Sequence, residues 1–246
     1  MAYDGLSTAQ LGARLRSPGC VVLPRVSSTL DVIHELAADG APAGTLVIAD
    51  EQVRGRGRQG RTWVSPPGAG IWMSWLVRPA EPLQDGMLAL RVGLAVAETL
   101  EHLGVATSLK WPNDILVEGR KLAGILCEGR WQGPGPGWVG VGIGMNVCGP
   151  LPAVLAGDAV TVQDVAPGVG RVAILETLVP ALQRLSTEPV LTDGERDAYA
   201  RRDWLRGRRI VKPRAGLARG IDADGALLVE TPDGLTRIAG GHVVPA

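Results

Sequence analysis

Four arginines, Arg54, Arg56, Arg58 and Arg61, fall within one octapeptide, separated by Gly55, Gly57 and Gly60 and with no acid among them. A guanidinium is permanently charged and glycine contributes no side chain, so this stretch cannot belong to a core. Its flanks can. Residues 45–49 (TLVIA) are a β-branched run, and residues 70–77 (GIWMSWLV) are an apolar run of strand length. Any sheet this chain builds must therefore carry a cationic, glycine-jointed loop between two buried strands. A solvated loop and an anion clamp are the competing readings. The planar guanidinium fork matches phosphate oxygens, and a loop slung from a rigid sheet is a common place for binding groups.

Two familiar patterns in this loop fail on context. Gly55, Gly57 and Gly60 satisfy G-x-G-x-x-G, and Gly55 to Thr62 imitates a phosphate-binding P-loop with Arg61 in place of lysine. Both patterns need a helix to open directly after the glycines. Here Trp63-Val64-Ser65-Pro66-Pro67 follows, and the prolines forbid it. What remains is the physics of arginines and bare backbone N–H groups converging on an anion.

Lys plus Arg and Asp plus Glu both total 25, so the charge patch is local and the chain is no general nucleic-acid coat. The first 25 residues lack the regions of a signal peptide, and no apolar run reaches membrane-spanning length, which makes the cytoplasm the expected location. Three cysteines suggest no disulfide framework; Cys127 and Cys148 sit in apolar runs and are expected in the core. Arginine outnumbers lysine 22 to three, and only Asn113 and Asn146 are asparagine. In a chain that writes arginine almost everywhere, a lysine hints that an ammonium is needed.

In chain order, residues 28–38 are expected as an amphipathic helix capped by Ser28 or Thr29, with Asp31 close to a capping box and Leu30, Ile33 and Leu36 or Ala37 buried. His34 is expected as a packed or surface histidine with no partner. Residues 85–104 predict a long helix ending at Gly104; 109–111, 115–117 and 122–127 predict strands, the last two forming a hairpin; 139–147 predict a strand; 132–137 a loop. Residues 149–170 look irregular, and 173–185 and 193–204 helical. After Arg206, short strands at 210–211, 216–221, 226–230 and 235–238 with two Asx–Gly turns predict a small all-β barrel. The division expected is 1–205 and 206–246, an α/β (α+β) domain and a β appendage.

The second cluster is Lys110-Trp-Pro-Asn113-Asp114 followed by Arg120-Lys121-Leu-Ala-Gly124. A turn and a hairpin-tip charge would explain both. Yet two of the three lysines and one of the two asparagines fall between 110 and 121. An Asn–Asp pair offers the oxygen ligands Mg²⁺ takes beside substrate phosphates, and a neighbouring lysine supplies a compact positive charge.

The blocks GRGRQGRTW (55–63), KWPNDILVEGRKLAGIL (110–126) and GIGMNV (142–147), in this order, resemble a biotin–protein ligase. The resemblance implies a mixed β-sheet backed by helices, followed by a small Src-homology-3-like β-barrel, in the short form without an N-terminal DNA-binding domain. It implies ATP-dependent activation of biotin to biotinyl-5′-AMP, with Mg²⁺, and transfer to a lysine of a biotin carboxyl carrier protein. By position, Lys121, Arg58 and Asp114 would be catalytic. Ser28, Thr29, Gln52, Gly55, Arg56, Arg58, Lys121, Gly124 and Leu126 would bind biotin. Arg58, Arg61, Trp63, Asn113, Asp114, Lys121 and Asn146 would serve ATP, with Asn113 and Asp114 on the metal; a buried turn explains Asn146 nearly as well.

Two positions depart from the pattern. Leu30 stands where the family has asparagine, and Gly241-His242 where it commonly has an acid, which weakens the case for a conventional contact between barrel and nucleotide. Neither DNA nor a membrane is expected as a partner, and a homodimer through sheet edges is left open. The alternatives are a lipoate or octanoate ligase or transferase of the same fold, and a single-stranded nucleic-acid binder using the Arg/Gly loop with Trp63 as stacking platform.

Overall fold

The computed structural model describes residues 2–80, 85–131 and 137–246; of the loop expected at 132–137, all but residue 137 lies outside them. The chain opens with elements its sequence did not announce. β1 (Ala2–Tyr3) and β2 (Leu6–Ser7) form a hairpin that turns through Asp4 and Gly5 at φ 48° and 82°. Ser7 and Gln10 make a reciprocal capping box for α1 (Thr8–Leu15), and β3 (Cys20–Val26) follows. The hairpin is clasped from afar: Arg171 pairs with Asp4 and, at 2.8 Å, with Asp50.

α2 (Thr29–Ala38) lies where its periodicity puts it. The Ser28 hydroxyl accepts from the Leu30 N–H at 3.4 Å, while Asp31 closes no capping box and turns instead to Arg56. Next come β4 (Leu46–Gln52), the arginine loop, β5 (Gly70–Val77) and α3 (Asp85–His102). β6 (Ser108–Lys110), β7 (Asp114–Val117), β8 (Arg120–Arg130) and β9 (Trp138–Asn146) complete one seven-stranded sheet in the order β3-β4-β5-β9-β8-β7-β6. Only β3 and β4 run parallel, with Val22 opposite Ile48. The sheet is mixed, as expected.

The two faces of this sheet are covered unequally. One carries the main core, where Ile71, Met73, Val141, Ile143 and Met145 meet Leu88, Val92 and Val96 of α3 and Ile174 and Leu178 of α5 (Arg171–Leu182). Each such Leu, Ile or Val contributes roughly 1.5–3 kcal/mol on burial. The other face carries a smaller cluster in which Leu30, Ile33 and Ala37 of α2 pack on Val47, Leu76 and Trp138. On that face β9 presents Gly140, Gly142 and Gly144. A methyl group at those positions would lie within 3.0 Å of Ile33 and His34, of Leu30, and of Trp63 respectively. The helix covers only part of the face, and the glycine-lined remainder is the floor of a slot.

Between the sheet and the C-terminal strands lie the one-turn α4 (Val162–Val165), α5 and α6 (Asp193–Ala200), the last shorter than the expected 193–204. The helix stops because the chain prefers a strand edge: Leu109 N–H donates to Arg202 O at 2.7 Å and Trp204 N–H to Leu109 O at 2.9 Å. β10 (Arg209–Lys212), β11 (Gly216–Ile221), β12 (Leu227–Thr231), β13 (Gly234–Ile238) and β14 (Val244–Pro245) form an antiparallel sheet in the order β13-β12-β11-β10-β14. Among the described residues no helix is long and apolar enough to cross a membrane. Cys127 is buried as expected, whereas Cys148 is only half-buried.

Candidate active site

The slot is closed at one end by neutral hydrogen-bonding groups. Gln52, at the end of β4, accepts from the Thr29 N–H at 2.9 Å and its hydroxyl at 3.2 Å, while its amide nitrogen donates to Ser65 Oγ at 2.9 Å. Thr29 Oγ1 also meets Ser74 Oγ at 2.8 Å. These contacts fix which way the Gln52 amide faces. Ser28, Thr29, Gln52, Gly124 and Leu126 all line the slot, together with Leu30 and Met73. Ser65 and Ser74 were missed by sequence reasoning. A lone serine inside the apolar run GIWMSWLV was the available signal, since a hydroxyl buried in a central strand needs a partner.

Gly55 is held by close approach. A Cβ there would sit 2.4 Å from Trp63 O and 2.8 Å from Ser65 Oγ, so no side chain fits between the loop and the slot's polar end. Trp63 comes down on the floor: a Cβ at Gly144 would lie 2.5 Å from its indole ring and one at Gly124 3.0 Å from it. Its ring meets Trp72 edge-on at 6.5 Å, and the Lys121 ammonium lies 5.2 Å from its centroid. The indole N–H is buried without an acceptor among the described residues. With the ring in place the slot keeps a cavity of about 40 Å³.

Beyond Lys121 the character changes to a cationic cleft, lined by Arg58 and Arg61 of the loop, Lys110, Asn113 and Asp114 of the β6–β7 turn, Lys121, and residues 241–243. Asp114 Oδ1 lies 2.6 Å from the Lys121 ammonium. Arg58 donates to Asn113 Oδ1 at 3.4 Å, and Asn113 Nδ2 donates to Ile125 O at 2.7 Å. Arg61 reaches His242, with Nη2 3.2 Å from Nδ1. A guanidinium can only donate, so Nδ1 accepts and the neutral ring carries its proton on Nε2. Burial, followed by the charges of Arg61 and Lys110, pushes the His242 pKa down. Burial also lowers Lys110, aided by Lys121 and Arg61 and opposed by Asp114. The C-terminal segment thus forms one wall of the cleft, with Gly241-His242 standing where the family commonly has an acid.

No acid lies within the octapeptide, but the fold brings two to it: Arg56 donates to Asp31 at 2.5 Å and to Glu128 at 3.1 Å. One expectation needs correction: His34 is not unpartnered. It accepts from Trp138 Nε1 at 3.0 Å and lies 3.3 Å from Glu128. The acids come from α2 and β8, distant in sequence, and hairpin and helix patterns do not reveal which side chains will meet. Asn146 is buried at the end of β9, where its amide donates to Lys121 O at 3.4 Å and Val160 O at 3.3 Å. The Lys121 main chain is further held by its N–H to Asp158 O at 2.8 Å and by Val160 N–H to its carbonyl at 3.1 Å.

No cluster of three His, Cys, Asp or Glu side chains is present among the described residues. Asp114 is the one carboxylate lining the cleft, and both ends of the Asn113 amide are engaged. A single carboxylate suits a Mg²⁺ ion that takes its other oxygens from phosphates and water.

The model of the biotin/lipoate A/B protein ligase family matches residues 22–146, and that of the biotin protein ligase C-terminal domain matches residues 206–244. The chain is 36% identical to a biotin–[acetyl-CoA-carboxylase] ligase of Paracoccus denitrificans over 92% of its own length and 97% of the relative's. It is 35% identical to the bifunctional ligase/repressor of Bacillus subtilis over 95% of this chain and 74% of that one. A biotin protein ligase from Aquifex aeolicus, solved with biotin and ATP, superposes with a TM-score of 0.75 at 26% identity, covering 92% of this chain and 97% of that one.

Proposed function

The chain belongs to the biotin/lipoate A/B protein ligase family, and from that membership and the geometry of its site we propose how it works as an ATP-dependent biotin–protein ligase. Biotin's carboxylate attacks the α-phosphorus of ATP, pyrophosphate leaves, and a lysine amine then attacks the acyl carbon of the adenylate, forming the amide and releasing AMP and a proton. The observation that carries the reading is that Lys121 borders both the slot and the cationic cleft. A neutral ring system in the first and a triphosphate in the second would bring carboxylate and α-phosphate together at its ammonium.

The slot supports a ligand with a polar, uncharged head. Ser28, Thr29 and Gln52 would bind the ureido group, with Gly55 and Leu126 closing the sides and Gly124 keeping the floor bare. Trp63 must yield space, and its orphan N–H then gains access to an acceptor on the adenylate it walls. A lipoyl or octanoyl chain would offer nothing to that polar end, which ranks this alternative second.

In the cleft, the barrier is the approach of two anions and the crowding at phosphorus. Arg58, Arg61 and Lys121 are fixed positive charges that stabilise charge growing on the phosphate oxygens without reorganising solvent. Asn113 orients Arg58. Asp114 would hold Mg²⁺, which supplies further positive charge to the phosphates; Asn113 is less suited, its amide being engaged. Asn146 would act through the Lys121 backbone rather than by touching nucleotide. The second step is proposed to take a lysine of a biotin carboxyl carrier protein in the cytoplasm, and the division of the chain near residue 206 is likewise proposed.

Isotopic exchange of pyrophosphate into ATP tests the reading. Exchange that depends on biotin is expected. Exchange driven by lipoate or octanoate and not by biotin would overturn it.

A further inference from the structure

The arginine loop has two arms with different fates. Its main-chain hydrogen bonds run to the end of β3 and back to itself: Val53 N–H to Val26 O, Arg54 N–H to Ser27 O, Gly57 N–H to Arg61 O. None of these reaches α2 or β8. At the loop's far end Trp63 packs on Gly124 of β8; in its first arm the connection is made by the Arg56 side chain, which bridges Asp31 of α2 and Glu128 of β8. Arg58 and Arg61, by contrast, face the cleft.

Glu128 is itself held. The Trp138 indole N–H can only donate, so His34 Nδ1 is the acceptor at 3.0 Å and the ring's proton sits on Nε2, which faces Glu128 Oε2 at 3.3 Å. His34 is fixed in turn by Gly140, where a Cβ would come within 3.0 Å of the ring. Its side chain is 12% exposed and that of Glu128 20%. An exposed ion pair contributes little because two flexible side chains must be ordered to make it. Here the acceptor is already ordered, so Arg56 loses less on docking. Glu128 also stays ionised, its pKa lowered first by the His34 hydrogen bond and then, against burial, by Arg56.

We propose that Glu128, oriented by His34 and assisted by Asp31, is a positioning residue that pins Arg56 and so seats the first arm of the loop beside the slot before any ligand arrives. Biotin then meets a half-closed site, and only the arm bearing Arg58 and Arg61 has to settle on the anion. Pre-seating raises apparent affinity by removing part of the ordering cost from the binding step. It does not stabilise the transition state, because Glu128 lies away from the phosphate cleft. The kinetic part of this inference rests on the ligase reading, whereas the structural part does not.

The decisive measurement is amide hydrogen exchange across residues 53–63 of the ligand-free full chain, paired with calorimetry and steady-state kinetics. In Glu128→Gln, exchange in this segment should quicken about tenfold, biotin Kd and KM should rise about tenfold, and kcat at saturation should stay within about twofold. Asp31→Asn, on the more exposed helix face, should change the same quantities in the same direction and keeps the idea testable should the first variant fold poorly. Arg56→Ala combined with Glu128→Gln should be no worse than Arg56→Ala alone. Unchanged loop exchange, a fall in kcat with KM preserved, or simple addition of the two losses would each overturn the proposal. If the unaltered protein neither binds biotin nor exchanges pyrophosphate, the ligase reading fails, and the ligand-free exchange rates still decide whether Glu128 seats the loop.

Discussion

The slot and the cleft adjoin at Lys121 but are made of different material. The slot is mostly backbone and neutral side chains: glycines at 124, 142 and 144, and a chain of amide and hydroxyl contacts that runs from Ser74 through Thr29 and Gln52 to Ser65. The cleft is long cations brought from two separate stretches, the loop and the β6–β8 strands, with residues 241–243 as a wall. One discriminates by shape, at van der Waals distance. The other works by field, at several ångströms and through solvent. Substitutions should therefore act abruptly in the first and by degrees in the second, and ionic strength should act more strongly on the second.

The contrast is sharpest at its border. Lys121→Ala should lower the single-turnover rate of adenylate formation by about a thousandfold, the scale of losing a preorganised charge contact, while biotin Kd measured by calorimetry changes less than about tenfold. Equal losses in both would remove the distinction at this residue. Gly144→Ala comes next. Its Cβ would project from the floor into the space the Trp63 ring now covers, 2.5 Å from that ring, and which the ligand needs once the ring yields; overpacking of about 1–3 kcal/mol should weaken biotin binding by roughly ten- to a hundredfold with kcat at saturation largely kept. If the variant binds biotin normally, the floor is softer than its geometry indicates.

Smaller effects belong to the cleft. Arg61→Ala should raise KM for ATP about tenfold and flatten its dependence on salt, because an exposed cation's attraction is screened within about 8–10 Å at moderate ionic strength; the salt dependence of biotin Kd, set by its carboxylate and Lys121, should be the same in both proteins. Last is pH. The folded pKa of His242 lies below its ordinary value, so between those two values the unfolded chain binds more protons than the folded one. Stability therefore rises as pH climbs through that window and is lost on acidification. Thermal melting of His242→Gln should fall less than that of the unaltered protein between neutral pH and pH 5.

How far the sequence reaches follows the same division. β5 coincides with the expected 70–77 and α2 begins within a residue of its expected start, because local periodicity and capping dictate both. The cationic loop and the Lys110–Lys121 hairpin were legible because scarce lysines and clustered arginines stand out against composition. Ser65, Ser74, Glu128 and His34 were not, since each matters only through a partner supplied by tertiary packing. The N-terminal hairpin escaped for another reason: two-residue strands carry no period, and the Arg171–Asp4 pairing that secures them spans most of the chain. His242 was noticed as a departure, but its approach to Arg61 depends on how the β10–β14 sheet sits beside the larger one.

One detail of Lys121 reaches beyond its charge. Its main chain is bolted at both of its polar groups, the N–H to Asp158 and the carbonyl to Val160 and to Asn146 from the end of β9, so only its four methylenes are free to swing. On the role proposed for Lys121, the irregular stretch before Val160 is a foundation for its ammonium rather than spare surface. Shortening that stretch by one residue would then tilt the root of a lever proposed to follow a carboxylate from attack to departure, and a change some distance from any ligand would surface as mistimed chemistry.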